Sequence, residues 1–215
     1  MSDEPTAFLY PFIEAEESDE SSLLTDLERS ARSKIAEHET LIAEMLRVHA
    51  AALREAGAAV AERVRNGGRL FSFGNGGSAT DAMAAAELFC GGGAGQPIPA
   101  RSLVEDQAVL TALGNDVGFE LVFSRQLIAH ARAGDVALAF STSGNSENLL
   151  RALREAAGRG LLTIGFSGYD GGAMAVSGQL DYCFVVASAS IHRIQEAQDA
   201  LLLALWSAVQ GALVR

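Results

Sequence analysis

Two hydrophobic patterns follow each other along this chain. From about Ser22 to Arg65, apolar residues recur every three or four positions, which predicts one long helix or two shorter ones ending at Gly67 and Gly68. Beyond these glycines, short apolar runs alternate with helical stretches, and this rhythm favours a mainly parallel α/β sheet covered by helices on both faces. The predicted strands are 69–73, 99–104, 135–140, 161–166 and 182–186. The predicted helices are 78–89, 105–113, 117–132, a stretch ending near Ala157, and 190–214.

Two polar loops follow predicted strands of this sheet. Residues 74–78 read Gly-Asn-Gly-Gly-Ser, and residues 141–146 read Ser-Thr-Ser-Gly-Asn-Ser. Glycine lets the backbone approach a ligand closely, helix N-termini bind anions, and ligands of parallel sheets bind at the carboxyl ends of strands. Ser78 and Ser146 also occupy expected N-cap positions. One such loop alone could be a capped helix start, but two in matching positions predict a phosphate site. The hydroxyls on offer are those of Ser78, Ser141, Thr142, Ser143 and Ser146.

Charge and composition narrow the function classes. The net charge is −11, and residues 1–30 hold nine acidic residues against one arginine. An acidic chain without a basic stripe argues against nucleic-acid binding, and no apolar run approaches the roughly 20 residues of a membrane helix. The start of the chain has no signal-peptide pattern, and two cysteines are too few for a disulfide scaffold, so we expect a cytoplasmic protein.

Other phosphate-binding classes lack their signatures here. The glycine pattern is neither the dinucleotide fingerprint nor the nucleoside-triphosphate loop. Lys34 is the only lysine and lies in the long helical segment, which argues against a Schiff-base mechanism.

At these loops and at several further motifs, the chain resembles the sugar isomerase (SIS) domain family, and within it the phosphoheptose isomerase group. The matching stretches are 74–78, 110–116, Gly118 and Phe119, 123–126, Gly134 and Asp135, 141–146, 169–172 and 193–196. The resemblance implies a three-layer α/β sandwich with a five-stranded parallel sheet, and a homotetramer with sites at subunit interfaces. We therefore expect an acidic arm over residues 1–20 and a single SIS domain over 21–215, whose N-terminal helical segment is 21–66. The arm is either a partly disordered tail or a segment that docks on the domain or on a neighbouring subunit.

The resemblance also implies a ligand set. It implies a phosphate held by Ser78 and the 141–146 loop, with Asn75 and Asp106 near the sugar. The predicted residues for substrate and phosphate binding are Asn75, Gly76, Gly77, Ser78, Ser141, Thr142, Ser143, Ser146 and Gln195.

The chain departs from the family at the metal positions. Bacterial members bind zinc through a His and a Glu on the helix after the first loop, and through a Gln and a His on the last helix. The corresponding residues here are Ala84, Leu88, Gln195 and Leu203. Because three of the four offer no ligand atom, we expect neither zinc nor another cofactor.

Two functional hypotheses follow. The first is an aldose–ketose isomerase of sedoheptulose 7-phosphate or a similar sugar phosphate, with acid and base relocated to His192, Glu87 or Asp106. The second is a non-catalytic module that senses a phosphosugar or partners another protein. The residues alone leave the choice between enzyme and binding module open.

Overall fold

The computed structural model describes residues 20–92 and 95–214, so the predicted arm over residues 1–20 falls almost wholly outside the described part. The chain forms two compact units, Met1–Leu41 and Ile42–Arg215. A single helix, α1, spans Glu20–Arg65 and confirms the one-helix alternative. In the first unit its surface carries ion pairs one turn apart, such as Arg32 with Glu28 at 2.7 Å.

A paired-glycine motif ends α1. Gly67 adopts a left-handed φ of 79°, its N–H donates to the Val64 carbonyl, and the Gly68 N–H donates to the Arg63 carbonyl. This pattern satisfies carbonyls that the last helical turn leaves without partners. The prediction that the glycine pair terminates the helix is confirmed.

Five parallel strands form one sheet in the order β2-β1-β3-β4-β5. The strands are β1 Leu70–Gly74, β2 Ala100–Ser102, β3 Val136–Phe140, β4 Leu162–Gly168 and β5 Tyr182–Val186. All residues of β1, β3 and β4 are buried, as expected for central strands covered on both faces. The predicted α/β class and the five-stranded parallel sheet are confirmed.

Six further helices follow in the described residues of the second unit. They are α2 Gly77–Glu87, α3 Gln107–Asp116, α4 Val122–His130, α5 Glu147–Gly158, α6 Gly172–Val176 and α7 Ile191–Leu213. A π-helical turn, Leu88–Gly92, continues α2, and a 3-10 turn, Phe119–Leu121, leads into α4. The sequence pattern did not predict α6, because its glycine-rich start is typical of a turn.

Helices cover the two faces of the sheet. On one face, Phe73 contacts Phe123 of α4 at 5.4 Å between ring centroids, in a core cluster that includes Leu153 of α5. On the other face, the Ser72 hydroxyl donates to the Ala82 carbonyl of α2. Since neighbouring residues of a strand point to opposite faces, α2 lies on the opposite side from α4 and α5. None of the described helices is long and apolar enough to cross a membrane.

A candidate phosphosugar site at the carboxyl edge of the sheet

The loop of residues 74–78, hereafter the first loop, turns the chain sharply from β1 into α2. A Cβ on Gly74 would collide with the Ser78 carbonyl, so only glycine fits there. Gly76 has a φ of 56° and occupies the N-cap position, and α2 begins at Gly77. The N-cap prediction for Ser78 is therefore wrong, because Ser78 is the second residue of the helix. Ser78 is buried in the first turn of α2, where the leading N–H groups have no partner within the helix, while the Ala79 N–H donates to the Gly76 carbonyl at 3.0 Å.

The second loop, residues 141–146, joins β3 to α5. The Ser141 N–H donates to the Phe166 carbonyl at 2.9 Å, and the Ser141 hydroxyl accepts from the Gly144 N–H at 3.0 Å. Ser143 accepts from the Asn145 N–H at 3.2 Å. Ser146 is the N-cap of α5, as predicted, but its side chain forms no capping hydrogen bond. The loop is thus held by its own serines, with Thr142 half-buried between Ser141 and Ser143.

The short helix α6 braces the second loop from the β4 side. Its Ala173 N–H donates to Oδ1 of Asn145 at 2.8 Å, and its Met174 N–H donates to the Gly144 carbonyl at 2.8 Å. Gly144 has a left-handed φ of 65° and lies so close to Gly171 that a Cβ would collide with its carbonyl. The 169–172 motif therefore supports the second loop through backbone contacts.

A pair of asparagines connects the two loops. Gly74 and Phe140 are register partners at the ends of β1 and β3, so the loops that follow are neighbours. Nδ2 of Asn75 donates to Oδ1 of Asn148 at 2.9 Å, and Nδ2 of Asn148 donates to Oδ1 of Asn75 at 2.9 Å. Asn148, the second residue of α5, was not among the predicted site residues. The available signal was an amide side chain just after the second loop, where an amide can reach a neighbouring loop.

Helix α7 packs against α2 and contacts both loops. The Gln195 side chain lies so close to Gly77 that a Cβ there would collide with it. Three residues on, the fully buried Gln198 donates from Nε2 to the Ser141 carbonyl at 3.3 Å. Gln195 was predicted for the site and lies beside the start of α2, whereas Gln198 was not predicted.

A buried carboxyl group lies between α2 and α7. The Asp81 side chain sits in the second turn of α2, where Asp81 is 7% exposed, and its Oδ2 has no hydrogen-bond partner. Burial, with the nearby charge of Asp199, raises the pKa of Asp81 from 3.8 to about 7, against the effect of a hydrogen bond with Gln195. Burial and the charge of Glu196 also raise the pKa of Asp199. A carboxyl that titrates near neutral pH therefore lies next to the first loop.

The three predicted catalytic residues lie on different elements. Asp106 is the N-cap of α3 and accepts from the Val109 N–H at 3.0 Å. Glu87 is the exposed last residue of α2, and His192 is the exposed second residue of α7. Asp106 follows β2 and His192 follows β5, which are the two edges of the sheet, four strand spacings or about 19 Å apart. No contact in the structure tests these assignments, and they stay a prediction.

The three residues that the sequence comparison predicts at zinc positions carry alkyl side chains. Ala84 is exposed, Leu88 is half-buried and Leu203 is 54% exposed. Over residues 20–92 and 95–214 there is no group of three or more His, Cys, Asp or Glu side chains that could hold a metal ion. Zinc takes nitrogen, oxygen or sulfur ligands, so the side chains of Ala84, Leu88 and Leu203 do not fit it.

Comparisons with known proteins identify the family of this chain. Residues 35–168 match the model of the SIS domain. A phosphoheptose isomerase of Aquifex aeolicus is 45% identical over 139 residues, which cover 64% of this chain and 72% of that protein. A phosphoheptose isomerase of Pelobacter propionicus is 39% identical over 193 residues, covering 89% of this chain and 99% of the relative.

A solved structure gives the same result for the fold. The phosphoheptose isomerase of Neisseria gonorrhoeae superposes with a TM-score of 0.80 at 34% identity, covering 86% of this chain and 99% of that one. Sequence and structure agree over most of the length of these relatives. The chain therefore belongs to the SIS-domain family and, within it, to the phosphoheptose isomerase group.

Proposed function

We propose that this protein is a sugar-phosphate isomerase that interconverts an aldose and a ketose, with sedoheptulose 7-phosphate or a similar sugar phosphate as its substrate. The observation that carries the proposal is the pair of polar loops, which end neighbouring strands and are joined through Asn75 and Asn148. The relatives named above, which are called phosphoheptose isomerases, supply the reaction class.

The phosphate is bound without a lysine. Its ligands in this proposal are the hydroxyls of Ser78, Ser141, Thr142, Ser143 and Ser146, together with N–H groups in the first turns of α2 and α5. Oriented N–H groups and helix N-termini bind anions locally, so the overall negative charge of the chain does not oppose this.

The sugar lies against Asn75, Gly76, Gly77 and Gln195 in this proposal. Moving a proton between adjacent sugar carbons requires a base and an acid within hydrogen-bond reach. The candidates for this acid and base remain His192, Glu87 and Asp106. In this proposal the reaction proceeds without zinc, since Ala84, Leu88 and Leu203 offer no metal ligand.

A homotetramer in the cytoplasm is the proposed setting. The tetramer comes from the resemblance to the family, and two free thiols, Cys90 and Cys183, suit a reducing compartment. Light scattering on the purified protein should give four times the 22.5 kDa chain mass, and a monomeric mass would contradict this proposal.

Purified protein mixed with sedoheptulose 7-phosphate tests the function directly. We expect the aldose product both in chelator and with added zinc. Binding without turnover in either condition would identify a sensing or partnering module instead, and the absence of both binding and turnover would refute the phosphosugar assignment.

A serine variant tests the phosphate ligands. Ser143→Ala should raise the dissociation constant for the sugar phosphate about tenfold, because it removes one hydrogen bond to a charged group. Ser207→Ala, on an exposed face of α7, is the control and should leave affinity unchanged. Equal affinities of the two variants would count against the second loop as the phosphate site.

A further inference from the structure

The asparagine pair has a geometry that constrains both amides. Each residue donates to the other at 2.9 Å, so the two side chains form a closed ring of two hydrogen bonds. Asn148 is 3% exposed and is anchored in the first turn of α5. Asn75, in contrast, is half-buried in the first loop.

A reciprocal pair couples the orientations of its two amides. A lone asparagine on a loop can exchange its N–H₂ and carbonyl positions by turning about its last torsion. In the closed ring, turning one amide alone would place two donors, or two acceptors, against each other, so each amide holds the other in place. Each amide uses one N–H and one carbonyl lone pair in the ring and keeps one of each for other partners.

From this geometry we propose that Asn148 is a positioning residue for sugar recognition. It holds the Asn75 amide in place through two hydrogen bonds, so that Asn75 presents its remaining N–H and carbonyl lone pair to the sugar portion of the ligand. Asn148 acts through Asn75 and does not contact the ligand. This inference rests on the proposed function only in that the site takes a sugar phosphate.

The pair also links recognition of the two halves of the ligand. Asn148 belongs to the helix that follows the second loop, which supplies four of the five proposed phosphate hydroxyls, whereas Asn75 belongs to the first loop and is proposed to contact the sugar. The residues are 73 positions apart in sequence, and the amide ring joins these loops side chain to side chain. The distance between the phosphate and the sugar contacts is thereby set by the protein rather than by the ligand.

A double-mutant cycle with two ligands tests the proposal. Dissociation constants for sedoheptulose 7-phosphate and for inorganic phosphate are measured on the full chain, on Asn148→Ala, on Asn75→Ala and on the double variant. We expect Asn148→Ala to weaken sugar-phosphate binding about tenfold, the order of one hydrogen bond, and inorganic-phosphate binding less than about twofold. In the Asn75→Ala background, Asn148→Ala should have no further effect beyond about twofold.

Other outcomes would overturn the proposal. Losses that simply add in the double variant would mean that Asn148 acts independently of Asn75. An equal loss for inorganic phosphate would show that Asn148 only shapes the second loop, and no loss for either ligand would remove any role in binding. If Asn148→Ala does not fold, as judged by its thermal transition, Asn148→Ser takes its place, because a serine hydroxyl is too short to rebuild the ring.

A ligand-independent measurement separates this inference from the proposed function. In a crystal structure of ligand-free Asn148→Ala, the Asn75 side chain should leave the rotamer that it adopts here. If it stays, the positioning role fails even when sugar phosphates bind. If it moves but the wild-type chain binds no sugar phosphate, the proposed function fails while the control of Asn75 by Asn148 stands.

Discussion

Replacing Asp81 with asparagine should make the protein more stable at neutral and alkaline pH. Asp81 is buried, Gln195 and Asp199 lie beside it, and its Oδ2 has no hydrogen-bond partner. Burial raises its pKa from 3.8 to about 7, which means that the folded state opposes ionisation of this group. Asparagine keeps the shape and an acceptor for Gln195, and it carries no charge that Asp199 would repel.

The sign and size of the effect follow from the two pKa values. Below pH 3.8 the group is protonated in both states, so the folded state pays no penalty. Between pH 3.8 and about 7 the unfolded chain ionises first, and the free energy of unfolding falls as the pH rises. A difference of about three pKa units corresponds to roughly 4 kcal/mol once both states are ionised. Allowing for a weaker hydrogen bond with Gln195, we expect a gain of about 3 kcal/mol at pH 8 and little change near pH 4.

Thermal unfolding from pH 4 to pH 8 measures this effect. A gain of about 3 kcal/mol corresponds to an increase in melting temperature of roughly 6–12 °C for a domain of this size. Asp116→Asn, at an exposed carboxylate in the last turn of α3, is the matched control and should follow the wild-type profile. If Asp81→Asn destabilises the protein at pH 8, or shifts stability equally at all pH values, the assignment of a buried, uncompensated carboxyl is wrong.

Three further substitutions probe the frame of the site. Gly74→Ala should abolish sugar-phosphate binding in calorimetry, because the added Cβ meets the Ser78 carbonyl; retained binding would contradict the rigid turn. Gly114→Ala, in α3 with open space around it, should instead raise the melting temperature by about 2–4 °C, since alanine favours a helix by about 1 kcal/mol. Asp135→Asn should lower the free energy of unfolding by about 2–3 kcal/mol, as measured by chemical denaturation. The buried carboxylate accepts hydrogen bonds from the Arg69 backbone N–H and guanidinium at 2.8 Å each. A smaller loss of stability than for Asp116→Asn would refute this.

Local chemistry made much of the fold predictable from the sequence. The strand predicted over 182–186 has those bounds in the structure, and the last helix, predicted over 190–214, spans Ile191–Leu213. Apolar periodicity and glycine breaks depend on neighbouring residues, so they are visible without tertiary information. The N-cap prediction for α2 was wrong because backbone geometry determines that position. Gly76, which has a positive φ, caps the helix instead of Ser78.

The candidate site was predictable only in part. The sequence identified both loops, because serine and glycine after a strand have a direct physical meaning for anion binding. It did not identify Asn148, since its place just after the second loop suggests contact with a neighbouring loop but does not say which residue it meets, and Asn75 lies 73 positions away in the chain. Gln198 was missed for the same reason, because its hydrogen bond to Ser141 joins residues 57 positions apart.

By itself, then, the sequence determined the order of the strands and of the helices other than α6, the parallel α/β class and the place of the two polar loops, because each depends on short-range pattern. Only the tertiary structure determines the strand order, and this order places Asp106 and His192 at opposite edges of the sheet. It also decided the joining of the loops through Asn75 and the raised pKa of Asp81. Burial, charge proximity and side-chain pairing arise between segments distant in sequence, and only packing brings those segments together.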